Sequence, residues 1–530
     1  MTTIPALVDD AEARFGEAEA LVDGELRLSF VELRDRVHKM AGSLAAWGLT
    51  PGDRVGVWGP NWWEWAVAAL GVHAAGGVVV PVNTRFKGDE AAYVLDRSGA
   101  RLLFCSTDFL GTDHSALLRA ADGGVPSCVE EVVALREPVP AGAVGFSDFV
   151  ARTPGDSSAR GTGTARVAGD DPCHIMFTSG TTGRPKGVVL KHAPVCRAYR
   201  SWASVIGLRH DDRYLIINPF FHSFGLNAGI LACLMTGATM VPHPVFDVPS
   251  VMARVPQEGI SMLPGPPAIY QTILNHPDLD SFDMSTLRLA VTGAAPVPVP
   301  MIEAMRQRLG FEVIVTGYGL TEASGIATMC RHDDPPEVIS ATSGRAIDDV
   351  EVRVVDPGGR EVPTGEPGEI VVRGYNVMDG YFDDPEATAA AIDAGGWLHS
   401  GDIGTMDEAG YVVITDRLKD MFICGGFNAY PAEIEAAMLA HPQVGQAAVV
   451  GRPDERLGEV GHAFVVPAPG AAVTGTAETE LIDWCRERMA NYKAPRGITF
   501  VAELPLNASG KVLRHELRAR LEGRRLPSHS

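Results

Sequence analysis

Along the first 330 residues, segments with apolar positions at helical spacing alternate with short apolar runs typical of β-strands. Residues 29–48 place apolar side chains at helical spacing and stop at Gly48, whereas residues 53–59 and 77–83 are short runs rich in β-branched side chains. Further short apolar runs, with helical patterns between most of them, lie at residues 174–178, 213–219, 260–264, 287–293 and 312–319. This alternation predicts α/β layers built on mostly parallel sheets.

The pattern changes after residue 344. Residues 350–356, 368–374 and 411–416 are short strand-like runs separated by turns rich in Gly and Pro. Such turns favour antiparallel hairpins, so this stretch predicts a small β-barrel.

The last segment of the chain has helical and strand-like patterns of its own. Helical patterns at residues 429–441 and 478–490 flank strand-like runs between residues 447 and 467, which predicts a small α+β domain. We therefore predict an N-terminal domain over residues 1–415, a boundary at residues 416–420, and a C-terminal domain over residues 421–530.

One uncharged stretch, from Trp65 to Val82, is long enough to be considered as a membrane span. It contains His73 and Pro81, and it changes from helix-like to strand-like residues at a Gly-Gly pair. We interpret it as a buried helix, a turn and a buried strand. The first fifteen residues have neither a basic nor an apolar segment, so we expect no secretory signal.

The composition narrows the class of protein. Of 530 residues, 46% are hydrophobic and 21% are charged, which excludes a mostly disordered chain. The net charge, 45 − 66 = −21, argues against nucleic acid as a partner, because a phosphate backbone binds basic surfaces. Eight cysteines without a CxxC pair predict free thiols in a reduced compartment. We expect a cytoplasmic protein with no membrane span, and we leave a homodimer open as its assembly.

The stretch IMFTSGTTGRPKGVVL, at residues 175–190, carries the most informative chemistry. A strand leads into a loop of hydroxyl side chains and glycines, followed by one of only seven lysines in the chain. Glycines let backbone N–H groups turn toward an anion, and hydroxyls and a lysine add further donors. The loop does not match the GxxxxGK[ST] pattern, so it is not the P-loop of nucleoside triphosphatases. We predict a phosphate cradle made of Thr178, Ser179, Gly180, Thr181, Thr182, Gly183 and Lys186.

This string resembles the signature loop of the adenylate-forming superfamily, which includes acyl-CoA synthetases, luciferases and nonribosomal adenylation domains. Further strings that resemble the family's motifs follow in the family's order: VTGAAP at 291–296, GYGLTE at 317–322, SGDIG at 400–404, DRLKD at 416–420, GGFNAYPAEIE at 425–435 and NASGKVLRHEL at 507–517. The resemblance implies a large N-terminal domain with two α/β layered subdomains and a small β-barrel, and a small mobile α+β C-terminal domain.

The resemblance also implies how ATP and Mg2+ would bind. Tyr318 would stack on adenine, Thr321 would contact the α-phosphate, and Glu322 would help to hold Mg2+, a role that suits a carboxylate. Asp402 would accept hydrogen bonds from the ribose hydroxyls, and Arg417 would reach the ribose and phosphate region. The small residues implied around the adenine and acyl group are Gly293, Ala294, Ala295, Gly317 and Gly319.

Two half-reactions are implied by the same resemblance. Lys511 would neutralise the carboxylate and the α-phosphate as they approach during acyl-AMP formation. The C-terminal domain would then pivot at residues 416–420, near Lys419. The Gly425-Gly426 segment would then guide coenzyme A, whose thiol would attack the acyl-AMP.

The substrate implied is a small-molecule carboxylic acid. PFFHSFG, at residues 219–225, resembles the acyl-CoA ligase version of a family motif and places His222 near the acyl group. Longer strings, such as LPGPPAIYQTIL and TDRLKDMFICGGFNAYPAEIE, resemble actinobacterial ligases for the ring-derived propanoate left during sterol breakdown. A bulky alicyclic or polycyclic acid is therefore expected. Thr316 stands where many relatives carry glutamine.

Three alternatives to a complete acid–CoA ligase stay open at this point. The chain could be a stand-alone adenylating enzyme that loads a carrier protein, or an enzyme proficient in only one of the two half-reactions. A degenerate nucleotide-binding regulator is the third, and the presence of all the charged residues expected for the family disfavours it. Those residues are Lys186, Glu322, Asp402, Arg417 and Lys511.

Overall fold

The chain is a mixed α/β protein, as its sequence predicts, and it forms two compact units. The computed structural model describes residues 3–152, 166–178, 185–293, 297–417, 420–424, 427–429, 431–454, 457–471, 477–489, 491–506 and 512–521. The first unit consists of Met1–Val352 with Val372–Leu398, and the second of Arg353–Val371 with His399–Ser530.

An eight-stranded sheet is the largest sheet of the first unit. Its strands, from edge to edge, are Gly380–Tyr381, Lys186–Lys191, Pro172–Thr178, Val78–Pro81, Arg54–Trp58, Ala100–Cys105, Glu131–Ala134 and Val144–Gly145. Its first three strands pair antiparallel and the remaining neighbours pair parallel. The antiparallel edge therefore holds the two strands that lead into and out of the signature loop.

Two four-stranded sheets also lie in the first unit. One has the order Arg213–Ile216, Thr239–Pro242, Glu19–Asp23 and Leu26–Ser29. The other has the order Leu289–Thr292, Val313–Tyr318, Thr328–Met329 and Arg345–Ala346. In the second of these sheets the first two strands are parallel, with Thr292 opposite Thr316, so their carboxyl ends meet at one edge.

The longest helix of the first unit has clear local signals at both ends. The helix Phe30–Trp47 starts with a capping box between Ser29 and Glu32 and ends at Gly48, which has a left-handed φ of 102°. The other α-helices are Ile4–Phe15, Trp63–Ala74, Gly88–Ser98, His114–Arg119, Phe146–Val150, His192–Ile206, Ala232–Thr236, Val248–Glu258, Pro267–Leu274, Val299–Leu309, Pro336–Ala341 and Pro385–Ala391. A π-helix spans Phe224–Leu231, and short 3-10 turns span Leu279–Ser281 and Thr321–Ala323.

The uncharged stretch from Trp65 to Val82 folds as predicted. It forms the buried helix Trp63–Ala74, a turn at Gly76, and the fully buried strand Val78–Pro81. Within the described residues, no helix has the length and apolarity that crossing a membrane requires.

The second unit contains most of one four-stranded sheet and all of a five-stranded sheet. The four-stranded sheet, where we predicted a small barrel, has the order Val350–Val355, Gly368–Gly374, Leu398–Met406 and Val412–Arg417. The five-stranded sheet has the order Phe427–Ala429, Phe422–Cys424, Gly458–Pro467 and Val444–Asp454, with Gly497–Phe500 also paired to Gly458–Pro467. The helices of this unit are Pro431–Met438, Ala477–Arg488 and Arg514–Leu521.

Partly buried ion pairs join elements of the second unit. Arg514 Nη2 donates to both oxygens of the Glu435 carboxylate, at 2.7 and 2.8 Å, and Val449 N donates to the same carboxylate at 2.7 Å. Arg518 Nη2 donates to Asp420 Oδ1 at 3.0 Å. Burial nevertheless raises the pKa of Glu435, so this carboxylate depends on Arg514 to stay charged.

Candidate active site

A β-hairpin positions both ends of the signature loop. The strands Pro172–Thr178 and Lys186–Lys191 pair antiparallel, with Thr178 directly opposite Lys186. The loop between them includes the predicted cradle residues Ser179, Gly180, Thr181, Thr182 and Gly183, which lie outside the described residues. The hairpin thus fixes Thr178 and Lys186, the first and last members of the predicted cradle, side by side.

The GYGLTE string ends a strand and continues into a tight turn. Gly317 and Tyr318 end the strand Val313–Tyr318, and the 3-10 turn Thr321–Ala323 follows. Gly319 is required by close packing, because a Cβ there would lie 2.3 Å from the carbonyl oxygen of Gly325. The strand and the turn together place Tyr318, Thr321 and Glu322 at the same end of the sheet.

Asn376 holds this turn in place. Its side chain is fully buried, and its Nδ2 donates to the carbonyl oxygen of Ile326 at 2.7 Å and to that of Ala323 at 3.4 Å. In return, Ser324 Oγ donates to the Asn376 carbonyl oxygen at 2.7 Å. These bonds offset the cost of the left-handed backbone conformation of Ser324, a non-glycine residue with a φ of 57°.

Tyr381 connects the turn to the hairpin. Its hydroxyl donates to Glu322 Oε1 at 2.9 Å, and the hydroxyl of Thr178 lies 3.4 Å from the same oxygen. The Nζ of Lys186 lies 5.1 Å from the centroid of the Tyr381 ring. Burial and the neighbouring Glu322 carboxylate raise the pKa of Tyr381, so its hydroxyl stays protonated and acts as a donor. Four side chains therefore converge here, two of them charged.

The side-chain oxygens of this cluster are ligands of the kind that Mg2+ prefers, but they are too few to complete the coordination of the ion. Glu322 offers carboxylate oxygens and Thr178 a hydroxyl oxygen, which suit a hard cation. Within the described part of the chain, no group of three or more His, Cys, Asp and Glu side chains is placed to hold a metal ion. The residues thus fit a magnesium ion that takes its other ligands from phosphates and water.

The predicted adenine-binding residues lie at the ends of two adjacent parallel strands. Gly293 follows the strand Leu289–Thr292, and a Cβ added there would lie 3.2 Å from the carbonyl oxygen of Gly317. Ala294 and Ala295 lie outside the described residues. Thr316 is buried, and its Oγ1 lies 3.1 Å from the carbonyl oxygen of Thr342. The Thr316 hydroxyl therefore bonds to the protein backbone.

His222 lies on an exposed turn before the π-helix Phe224–Leu231. Its Nδ1 accepts a hydrogen bond from the backbone N of Phe224 at 3.1 Å. Gly225 is packed so closely that a Cβ would lie 2.1 Å from the carbonyl oxygen of Pro219. The structure thus gives His222 a local structural contact, and its place near the acyl group stays a prediction.

The second unit holds the remaining predicted residues. Asp402 is 5% exposed on the strand Leu398–Met406, and the backbone register sets it opposite Arg417. Ser400 Oγ accepts a hydrogen bond from the backbone N of Asp402 at 3.0 Å. The side chain of Arg417 lies outside the described residues, as do Lys419, Gly425, Gly426 and Lys511.

Sequence reasoning missed Tyr381 and Asn376. Both lie in GYNVMDGYF, at residues 374–382, which we did not interpret. A polar Asn between apolar residues was the one available signal at position 376. Tyr381 carries no such signal, because a tyrosine in this context reads equally well as a core aromatic.

Family models match most of the chain. The model of the AMP-binding enzyme matches residues 8–382, and that of the AMP-binding enzyme C-terminal domain matches residues 433–511. The first match includes the signature loop and the GYGLTE string, and the second lies within the predicted C-terminal domain.

Two relatives are similar over their whole length. A 3-[(3aS,4S,7aS)-7a-methyl-1,5-dioxo-octahydro-1H-inden-4-yl]propanoyl:CoA ligase of Rhodococcus jostii is 49% identical, with 98% of each chain covered. A ligase of the same name from Mycobacterium tuberculosis is also 49% identical, over 98% of this chain and 99% of its own length.

A solved structure has the same fold. The anthranilate CoA ligase AuaEII in complex with anthranoyl-AMP is similar with a TM-score of 0.88 and 28% identity, over 98% of this chain and 97% of that one. Family model, relatives and structure agree with the motifs. The chain belongs to the AMP-binding enzyme family, within the adenylate-forming superfamily, and is an AMP-forming acid–thiol ligase that uses ATP and coenzyme A.

Proposed function

We propose that this enzyme activates a propanoate carried on a fused ring system and converts it to its coenzyme A thioester. The observation that carries the proposal is 49% identity, over 98% of both chains, to a ligase whose name specifies an octahydroindene propanoyl group. A second ligase of that name, from another organism, supports it at the same identity. The acid class agrees with the expectation from the sequence, a bulky alicyclic or polycyclic carboxylic acid.

In the first half-reaction the acid's carboxylate attacks the α-phosphorus of ATP and displaces pyrophosphate. Backbone N–H groups and hydroxyls of residues 178–183, with Lys186, bind the departing phosphates. Thr321 orients the α-phosphate, and Lys511 neutralises the two anions that must approach each other. Each of these roles stabilises negative charge, which is what this step requires.

Further side chains hold the nucleotide in place during that step. Tyr318 stacks on adenine, with Gly293 and the small residues that follow it leaving room for the base. Asp402 accepts hydrogen bonds from the ribose hydroxyls, and Arg417 reaches the ribose and phosphate region. Mg2+, when bound, offsets phosphate charge; Glu322 holds it, and the nearby Thr178 hydroxyl supports this assignment.

In the second half-reaction the thiol of coenzyme A attacks the acyl carbon of the acyl-AMP, and AMP leaves. We propose that residues 421–530 move as a domain about a hinge at residues 416–420, near Lys419. This movement withdraws Lys511 and brings in Gly425 and Gly426, which pass the pantetheine arm close to backbone. His222 borders the acyl group. Two half-reactions that need different groups at one carbonyl favour such a moving domain.

We also propose a cytoplasmic location, a homodimeric assembly and no nucleic-acid partner. All eight cysteines are free, and seven of them are buried, which suits a reducing compartment. The net charge of −21 disfavours binding to a phosphate backbone.

Product analysis tests the acid class. The enzyme would be incubated with ATP, Mg2+, coenzyme A and a panel of straight-chain, aromatic, terpenoid and fused-ring carboxylates, and the products identified by mass spectrometry. We expect acyl-CoA from the fused-ring propanoates, with kcat/KM about 10- to 100-fold above that for a straight-chain acid of similar carbon number. Preference for straight-chain acids would contradict the proposal. Acyl-AMP without acyl-CoA would indicate a carrier-protein acceptor or a deficient second half-reaction.

A further inference from the structure

Tyr381 lies between two side chains of opposite charge. Its hydroxyl donates to Glu322 Oε1 at 2.9 Å, while Lys186 Nζ lies 5.1 Å from its ring centroid. Among the residues that the structure describes, no ion pair joins Lys186 directly to Glu322. The tyrosine thus binds the anion with its hydroxyl and the cation with its ring.

A direct pair between Lys186 and Glu322 would harm ATP binding. Opposite charges in a half-buried site attract strongly, because the local dielectric is lower than that of water. If they paired, the lysine would be neutralised toward phosphate and the carboxylate toward a divalent cation. A neutral tyrosine between them donates a hydrogen bond to the carboxylate and offers its ring to the lysine, so both charges stay available for ATP and the metal.

The backbone holds Tyr381 firmly in this place. Tyr381 lies opposite Val188 in the short edge strand, and its N donates to Thr388 Oγ1 at 2.9 Å. Glu322 is tied to the same segment, since Met378 N donates to the Glu322 carbonyl oxygen at 2.8 Å. The ring is therefore fixed relative to both Lys186 and Glu322.

We propose that Tyr381 is a positioning residue that keeps Glu322 and Lys186 apart, so that Glu322 binds the metal and Lys186 binds the phosphates of ATP. This inference rests on the proposed function only for the roles of those two residues. It does not depend on the identity of the acid or on the second half-reaction.

The test is calorimetric binding of ATP without acid or coenzyme A, once with excess Mg2+ and once with EDTA. The dissociation constant in EDTA divided by that in excess Mg2+, here called the Mg2+ ratio, measures how strongly Mg2+ assists binding. In Tyr381→Phe, which keeps the ring, we expect this ratio to fall about 3- to 10-fold, because one hydrogen bond to a carboxylate is lost. In Tyr381→Leu the affinity in EDTA should also fall, about 2- to 5-fold, because Lys186 loses its ring contact.

Tyr375→Phe is the matched control. Tyr375 lies in the same segment and carries the Arg197 guanidinium 4.0 Å from its ring centroid, but its buried hydroxyl has no hydrogen-bond partner in the described structure. We expect its Mg2+ ratio to equal that of the wild type. Circular dichroism and thermal melting of each variant would show that it is folded.

A double-mutant cycle separates a positioning role from a merely structural one. Glu322→Gln removes the charge that Tyr381 is proposed to orient. In that background, adding Tyr381→Phe should change the Mg2+ ratio no further. An unchanged ratio in Tyr381→Phe, or a full additional loss in the double variant, would overturn the proposal. A wrong acid class would leave these binding data intact and would show only in the product analysis.

Discussion

At the scale of single residues, the chemistry depends on a few positive charges in an acidic chain. The protein has seven lysines and a net charge of −21. Two of the lysines, Lys186 and Lys511, are assigned to phosphate and carboxylate charge. Both are proposed to act in acyl-AMP formation, so loss of either should impair this half-reaction.

Lys511→Ala tests this assignment. We expect acyl-AMP formation to slow by about 100-fold or more, because a charge that stabilises the transition state is removed. Thioester formation from supplied acyl-AMP should stay within about 3-fold of the wild type, since the lysine has no role in that step. The two half-reactions would be followed by pyrophosphate exchange and by acyl-CoA release. Lys39→Ala, on the exposed face of the helix Phe30–Trp47, is the control, and equal loss of both steps in Lys511→Ala would refute the role.

At the scale of elements, three buried histidines join parts of the first unit that are distant in the chain. His73 lies on the helix Trp63–Ala74, His174 on the strand Pro172–Thr178, and His192 begins the next helix. The His73 ring centroid lies 4.9 Å from that of His174 and 5.6 Å from that of His192. Burial lowers the pKa of His174 to about 3 and that of His192 to about 4. The cluster therefore packs in its neutral form.

This cluster predicts that acid destabilises the first unit. An unfolded histidine takes up a proton near pH 6.5, whereas folded His192 has a pKa of about 4 and folded His174 one of about 3. The stability they contribute is thus complete above pH 6.5 and falls as the pH drops from 6.5 toward 4, by up to about 1.4 kcal/mol per pH unit for each histidine. Urea-unfolding midpoints between pH 7.5 and 4.5 would measure this slope.

His192→Asn supplies the matched variant. Its side-chain oxygen can replace His192 Nδ1 as the acceptor for the backbone N of Ile4, a bond of 3.3 Å. We expect the midpoint to depend less steeply on pH in this variant. The same change at the exposed His210 should leave the slope unchanged. Equal slopes in the wild type and His192→Asn would contradict the assignment.

At the scale of the whole molecule, the sequence predicts the fold class and most of its order. The α/β alternation, the helix and strand within Trp65–Val82, and the separate α+β elements after Asp416 all appear in the structure. Each is a local pattern repeated over many residues, so periodicity is enough to detect it. The motifs with proposed roles in catalysis could likewise be recognised, because several of them occur in the order typical of the family.

Other features could not be predicted, because they arise from contacts between distant residues. Glu322 meets Tyr381 across 59 positions, and Asn376 binds Ile326 across 50. Nothing local in either segment indicates its partner. The size and shape of the acyl-binding site have the same origin, so the acid class was inferred from resemblance to relatives and not from the chemistry of single residues.

In the proposed reaction, a fused-ring propanoate passes through acyl-AMP on its way to the thioester. The most direct test uses this acid labelled with oxygen-18 in its carboxylate, with ATP, Mg2+ and coenzyme A, and mass spectrometry of the nucleotide product. Carboxylate attack on the α-phosphorus, followed by thiol attack on the acyl carbon, leaves one carboxylate oxygen on AMP. We predict AMP that carries one oxygen-18 atom, together with acyl-CoA. Unlabelled AMP, or ADP with labelled phosphate, would contradict this reaction route.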